Sequence, residues 1–440
     1  MKRPRVTVFW FRRDLRLSDN PGLLEALRGP HPVLPFFLFD PDILRGLPRT
    51  DARVEFIHGA VRDLAAALRK RGSTLVAKRG RPAEVFAGLA KEWEVAEVHA
   101  NRDWEPSAIE RDAAVADLLR QKGIPLRLAG DHAVLPPGVV LKDDGTPYTV
   151  FTPYFRKWRA RILASRPVPV PSEKHLSGLA RMRPARLPSL GEIGFAPSRV
   201  PFPPVRIPRD VVRDYDKTRD LPAVAGTTRL GVHLRFGTLG VRTLVSKTWG
   251  LNATFLQELA WRDFFLQVMT VFPRVVKEPF RPEFRAVRWR EDEAAFRRWC
   301  RGETGYPWVD AGMRQLNATG FMHNRVRMAA ASFLAKHLLI DWRRGEAYFA
   351  EKLLDFELSS NNGNWQWAAG CGCDAAPYFR VFNPALQAKR FDPKGEYVKK
   401  WVPEAGTSRY AAPLVEHDAA RRRALSAFRS VSRRGRAGVQ

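Results

Sequence analysis

Between Thr304 and Arg390 the chain sets aromatic and polar residues in an order that suits redox chemistry. It reads TGYPWVDAGMRQLNATGFMHNRVRM, then LLIDW, then LLDFELSSNNGNWQWAAGCGCDAAPYFRVFNPALQAKR. Trp342 and Trp365 stand in separate segments of this stretch, and Trp289 lies just upstream. Large redox-active rings beside buried polar groups suit a protein that holds an aromatic cofactor and moves electrons to it. Asn324 and Met328 are four residues apart with Arg327 beside them, so one helix face presents all three. Asp355 follows, and then Asn361 opens an Asn-Asn-Gly triplet. Upstream, FLQELAWRDFFLQ (255–267) reads as a helix with Glu258 and Trp261 on one face and Arg262 next to them. Each residue alone has an ordinary explanation. Buried tryptophan is usually core packing, a buried amide is usually a satisfied helix-to-helix bond, and an acid among aromatics is usually a salt-bridge partner.

Composition narrows the partner. Among 440 residues, 74 Lys plus Arg stand against 46 Asp plus Glu, a formal charge of +28. That excess makes a field that attracts a polyanion, and nucleic acid is the leading candidate. An arginine-favouring base composition of the genome accounts for part of it. Cys300, Cys371 and Cys373 are too few for a disulfide framework, which fits a reducing cytoplasm. The Cys371-Gly-Cys373 pair lacks further Cys or His ligands nearby, so no metal is expected. No run of eighteen apolar residues marks a membrane span, and the opening apolar stretch is broken by Arg12, Arg13 and Asp14, unlike a signal peptide.

These groups need a scaffold, and the chain changes character three times. Residues 1–130 alternate apolar runs (6–11, 33–39, 74–78, 95–100, 125–129) with amphipathic helical segments ending at Gly. That pattern predicts a Rossmann-like parallel α/β domain, without the GxGxxG of a dinucleotide site. Residues 131–205 are dense in proline and predict an extended linker, interrupted by one helix around FTPYFRKWRARILA. From 206 to 418 the pattern is helical, clearest at 254–272, 308–317, 320–338 and 345–358. Residues 419–440 carry seven arginines and no acid, and read as a disordered basic tail.

With YDKTRDLPAVAGTTRLGVHLRFGTLG (215–240), these stretches resemble the photolyase/cryptochrome family, most closely the bacterial class I cyclobutane pyrimidine dimer photolyases. The resemblance spans the whole layout: an α/β domain, a linker, and an all-helical domain that binds FAD, active as FADH⁻. It implies cofactor contacts by Tyr215, Thr227, Thr228, Arg229, Leu230, Gly231, Arg262, Arg327, Asp355, Glu357 and Asn361. Most relatives have Ser-Pro where this chain has Gly231-Val232, which removes one hydroxyl contact. Asn361 matches the residue facing flavin N5, where plant cryptochromes typically have Asp. Trp365, Trp342 and Trp289 match an electron-transfer chain from surface to flavin. Trp261 and Trp367 match the aromatic walls of the lesion pocket, and Glu258, Asn324 and Met328 its polar and sulfur-bearing residues. In a low-dielectric pocket, Glu258 would have a raised pKa and act as a donor to the dimerised bases. MHNRVRM lacks the His-His of the (6–4) repair branch. Arg219 and Arg325 match phosphate contacts around a flipped lesion in DNA.

The implied reaction is light-driven repair of pyrimidine dimers by a monomer. A blue-light photoreceptor of the cryptochrome type is the rival reading. Glu105, in NRDWEPSAIERD, matches a position that binds an antenna folate (methenyltetrahydrofolate) in some members. Others take 8-hydroxy-5-deazaflavin in that groove, or nothing, and the residues leave the three alternatives open.

Overall fold

All five apolar runs of the first 130 residues form strands: β1 (Arg5–Phe11), β2 (Val33–Phe39), β3 (Val76–Arg79), β4 (Glu94–Asn101) and β5 (Leu126–Ala129). In this computed structural model, which describes residues 5–375, 377 and 379–437, they make one parallel sheet of order β3-β2-β1-β4-β5. The central strand β1 and its neighbour β2 are buried along almost their whole length, as continuous apolar runs covered on both faces must be. Pro35 sits inside β2 without breaking a ladder. It pairs with Phe9 of β1, and the pairing with β3 begins only at Phe36.

The chain divides into two compact units. One comprises Met1–Val139, Arg159–Ile207 and Arg229–Trp249, and the other Val140–Trp158, Pro208–Thr228 and Gly250–Gln440. The proline-rich stretch contains the expected helix at Phe151–Ala164, and a short 3₁₀ segment at Ser172–Gly178. The sheet unit holds a core of Val8, Trp10, Leu34, Phe36, Phe86 and Val98 among others. Among its described residues the second unit's regular structure is helical, apart from one isolated bridge, Leu141 to Pro147. Its long helices are Ala253–Val271, Pro307–Thr319, Asn324–Ser332 continued by a π-turn to His337, Trp342–Lys352 and Leu358–Ala369. No helix among the described residues is long and apolar enough to cross a membrane.

Two expectations need correction. The helix expected over 345–358 ends at Lys352; Leu353 is extended and the next helix starts at Leu358. The gap holds Asp355 and Glu357 out of helical geometry. The basic tail is also not a disordered arm, because His417–Ala437 is a helix. Ala420, Ala424, Phe428 and Val431 recur at helical spacing between the arginines and are all buried, while Arg421, Arg422 and Arg429 stay exposed. Burial of that stripe offsets the chain entropy that would favour disorder. Residues 438–440 of the expected tail, and the side chains from 432 onward, lie outside the described residues.

Candidate active site

The break between Lys352 and Leu358 opens a cavity in the helical unit. Its lining includes Asn324, Arg327, Met328, Asp355, Glu357, Asn361 and Trp365, so seven residues singled out in the sequence meet at one place. Arg327 arrives from the Asn324–Ser332 helix, whose N-cap is His323, accepting from the Arg325 N–H. Its guanidinium forms an ion pair with Asp355 at 2.9 Å and also donates to the Met322 carbonyl at 2.7 Å. Glu357 is held by Arg262 of the Ala253–Val271 helix at 2.7 Å.

Asn361 is buried and donates its amide N–H to the Glu346 carboxylate at 2.7 Å and to the Glu346 carbonyl at 3.1 Å. Burial pushes Glu346 above the ordinary carboxylate range, against the pull of that bond. Two glycines make this packing possible. A Cβ on Gly345 would collide with the Trp365 ring, and one on Gly363 with Phe265. Trp365 is 2% exposed, lines the cavity, and its indole N–H has no partner.

Trp342 and Trp365 belong to one apolar core, and Trp289 packs against it from a partly exposed position. The Trp289 ring meets Phe428 of the C-terminal helix edge-on, with centroids 5.9 Å apart. Trp365 and Trp342 are equally buried, each 2% exposed, and of the three only Trp289 is partly exposed.

A second group lies on the Ala253–Val271 helix. Glu258 accepts from the Arg219 guanidinium, and burial raises its pKa although Arg219 opposes the shift. Arg325 pairs with Asp220 at 2.6 Å and lies over the Phe391 ring at 4.4 Å. Neither arginine is a bare cation, so a phosphate contact by either would have to displace a carboxylate. Tyr215 meets Phe255 edge-on at 5.3 Å. Trp261 and Trp367 are both partly buried, each with an aromatic neighbour: Phe151 for the first and Phe382 for the second.

Comparison with known proteins decides the family. Residues 7–172 match the model described as DNA photolyase, and residues 255–409 the one described as FAD binding domain of DNA photolyase. Over 435 residues the chain is 40% identical to the deoxyribodipyrimidine photo-lyase of Halobacterium salinarum, covering 91% of this chain and 89% of that one. The chain belongs to the DNA photolyase family. A solved bacterial class III photolyase from Agrobacterium tumefaciens superposes with a TM-score of 0.85 at 34% identity, covering 98% of both chains. A cryptochrome from Synechocystis reaches the same TM-score, 0.85, at 26% identity, covering 97% of this chain and 99% of that one.

Residues 255–409 are therefore the FAD-binding domain of a photolyase, and the cavity within them fits that group. It offers a cation (Arg327), an acceptor (Asp355), an amide (Asn361) and an unpartnered indole N–H, the mixed donor and acceptor set that a flavin ring edge requires. Thr227 and Thr228, expected as cofactor contacts, precede a short helix. The Gly231–Arg235 helix is only five residues long, its N-cap is Leu230 without a side-chain bond, and Arg229 adopts a left-handed φ of 53°. The two threonines are accordingly not its caps.

In the sheet unit, Glu105 follows β4 and is taken up by ion pairs with Arg13, at 3.2 Å, and Arg235. Arg13 also holds Asp103 at 3.0 Å, and Arg16 and Arg242 share Asp131. Burial opposes ionisation of Asp103, yet Arg13, His132 and Arg235 keep it well below the usual carboxylate range. These charges sit after β1, β4 and β5, where the strand order reverses and an open α/β sheet usually offers its ligand crevice. Sequence reasoning missed Glu346, Asp220 and Phe151. Their roles come from helix packing between distant segments, which no local spacing announces.

Proposed function

We propose that this protein repairs cyclobutane pyrimidine dimers in DNA, driven by light and using reduced FAD held in the Arg327–Asp355–Asn361 cavity. One observation carries the reading. Cofactor-side residues (Arg327, Asp355, Asn361) and lesion-side residues (Asn324, Met328) line a single cavity. Held by Arg327, Asp355 and Asn361, reduced FAD would supply the electron for ring opening.

The chain's own residues do the rest. Arg327 balances the negative charge of the reduced ring, which a low-dielectric site would otherwise disfavour. Asn361 offers an amide rather than an acid at its position, with no proton to surrender. Glu258, with its raised pKa, donates to the carbonyl edge of the dimer where negative charge develops. Trp261 and Trp367 wall the pocket, and Trp365, Trp342 and Trp289 lead electrons inward. The basic surface, +28 overall, holds the strand by its phosphates, and extrusion of a dimer costs less than that of a stacked base pair.

The class I reading rests on Glu258, Asn324 and Met328 together; overall likeness to a class III enzyme at 34% identity does not separate the classes. An antenna chromophore, a folate or a deazaflavin, stays a proposal for the sheet unit, where Glu105 would have to leave Arg13 and Arg235 to bind it. A photoreceptor would share the flavin and the tryptophans but would have no use for a lesion pocket. Dark binding separates the two. The protein is expected to bind a duplex with one thymine dimer at least about a hundredfold more tightly than the undamaged duplex. Equal affinities would sink the repair reading.

A further inference from the structure

Trp261 does not stand alone on its helix. The Phe151 ring lies flat against it, with centroids 3.5 Å apart and planes 7° apart. Phe151 is 4% exposed and opens the Phe151–Ala164 helix. Phe155, one turn on, stacks on Phe151 at 5.6 Å and 12°. Trp158 continues the row at 6.2 Å from Phe155 and fixes it by donating its indole N–H to Asp263 at 2.9 Å. Positions 151, 155 and 158 share one helix face, so the start of this helix is an aromatic rib laid along the Ala253–Val271 helix.

The rib is tied to the second wall as well. The Phe151 backbone N–H, one of the helix's unpaired first donors, is accepted by the Asp374 carboxylate at 3.0 Å. Asp374 lies on the loop that follows Trp367, and Phe382, further along that loop, faces the Trp367 ring at 6.3 Å. Lys336, buried in the π-turn, donates to the Arg380 carbonyl at 2.8 Å and holds the same loop. One hydrogen bond and one stacked pair therefore join segments that are far apart in sequence.

We infer that Phe151 and Asp374 are positioning residues for lesion recognition: Phe151 fixes the plane of Trp261, and Asp374 couples that plane to the loop after Trp367. This rests on the reading of Trp261 and Trp367 as walls of the dimer pocket. An indole held in place before the lesion arrives loses no rotamer freedom on binding, so affinity is gained without any new contact. No covalent or redox step is involved.

The test is dark binding of the full chain, with its flavin oxidised, to dimer-containing and undamaged duplexes. Phe151→Ala is expected to weaken dimer binding about three- to tenfold, with undamaged-DNA affinity and flavin content unchanged. Phe151→Tyr keeps the ring and is expected to match the parent protein. Asp374→Ala should shift dimer affinity in the same direction, and the double variant should be no weaker than the weaker single one, because the two act as a unit. Unchanged dimer binding in both single variants overturns the inference, and so does an equal loss for undamaged DNA. Trp261→Ala tests the underlying reading apart from this one. If it leaves dimer binding intact, the wall assignment fails and the inference with it. If it alone weakens binding, only the inference fails.

Discussion

Glu258 is a carboxyl set among aromatics and held by one arginine, and its protonation state decides whether it donates or accepts. Burial raises its pKa against the opposing Arg219, so the protonated form persists to higher pH than in an ordinary glutamic acid. The folded protein then binds this proton more tightly than the unfolded chain does. The group's contribution to stability is complete at low pH and is lost as pH rises through the folded value. Function follows the same sign. Dimer affinity is expected to fall as pH rises through that value, to be flat with pH in Glu258→Gln, and to be about tenfold weaker at low pH in Glu258→Ala. A parent profile as flat as the Gln variant would remove Glu258 as a donor. At this scale the sequence was partly legible. Asn361 announced itself in Asn-Asn-Gly, and Arg327 and Asp355 by family motif. Glu346, which accepts the Asn361 amide, did not, because its approach depends on Gly345 letting two helices close on Trp365.

Strand positions were readable because a sheet buried on both faces needs continuous apolar runs, and each of the five runs became a strand. Helix ends were harder. The periodic run over 345–358 hides a break at Leu353–Glu357, and only tertiary demand, the need to turn Asp355 toward Arg327, explains it. The C-terminal helix was hidden by charge. Seven arginines masked a stripe of Ala420, Ala424, Phe428 and Val431 that packs onto the core beside Trp289. That contact has a measurable consequence. Phe428→Ala removes a side chain that is 1% exposed, at a cost of about 3–5 kcal/mol, so the melting temperature should drop by several degrees. Trp289 should also become more accessible to a soluble fluorescence quencher, while repair by pre-reduced enzyme stays near the parent rate. An unchanged melting temperature would return these residues to the status of a loose tail.

For the molecule as a whole, two units divide the labour. The sheet unit spends its switch-point charges on one another, in the Arg13–Asp103–Glu105 and Arg16–Asp131–Arg242 ion pairs. The helical unit keeps a cavity whose indole N–H and ion pair are arranged for a flavin. The formal +28 adds a long-range attraction to DNA that weakens with salt but cannot by itself recognise damage. The proposed function assigns damage recognition and chemistry to the helical unit, and repair is what most needs a direct trial. The protein, with its FAD reduced, should be mixed with an oligonucleotide containing one thymine dimer and exposed to blue light, with a dark control alongside. Restored thymines in the illuminated sample and none in the dark are the expected result. A reduced, flavin-loaded protein that restores none under light would contradict the account.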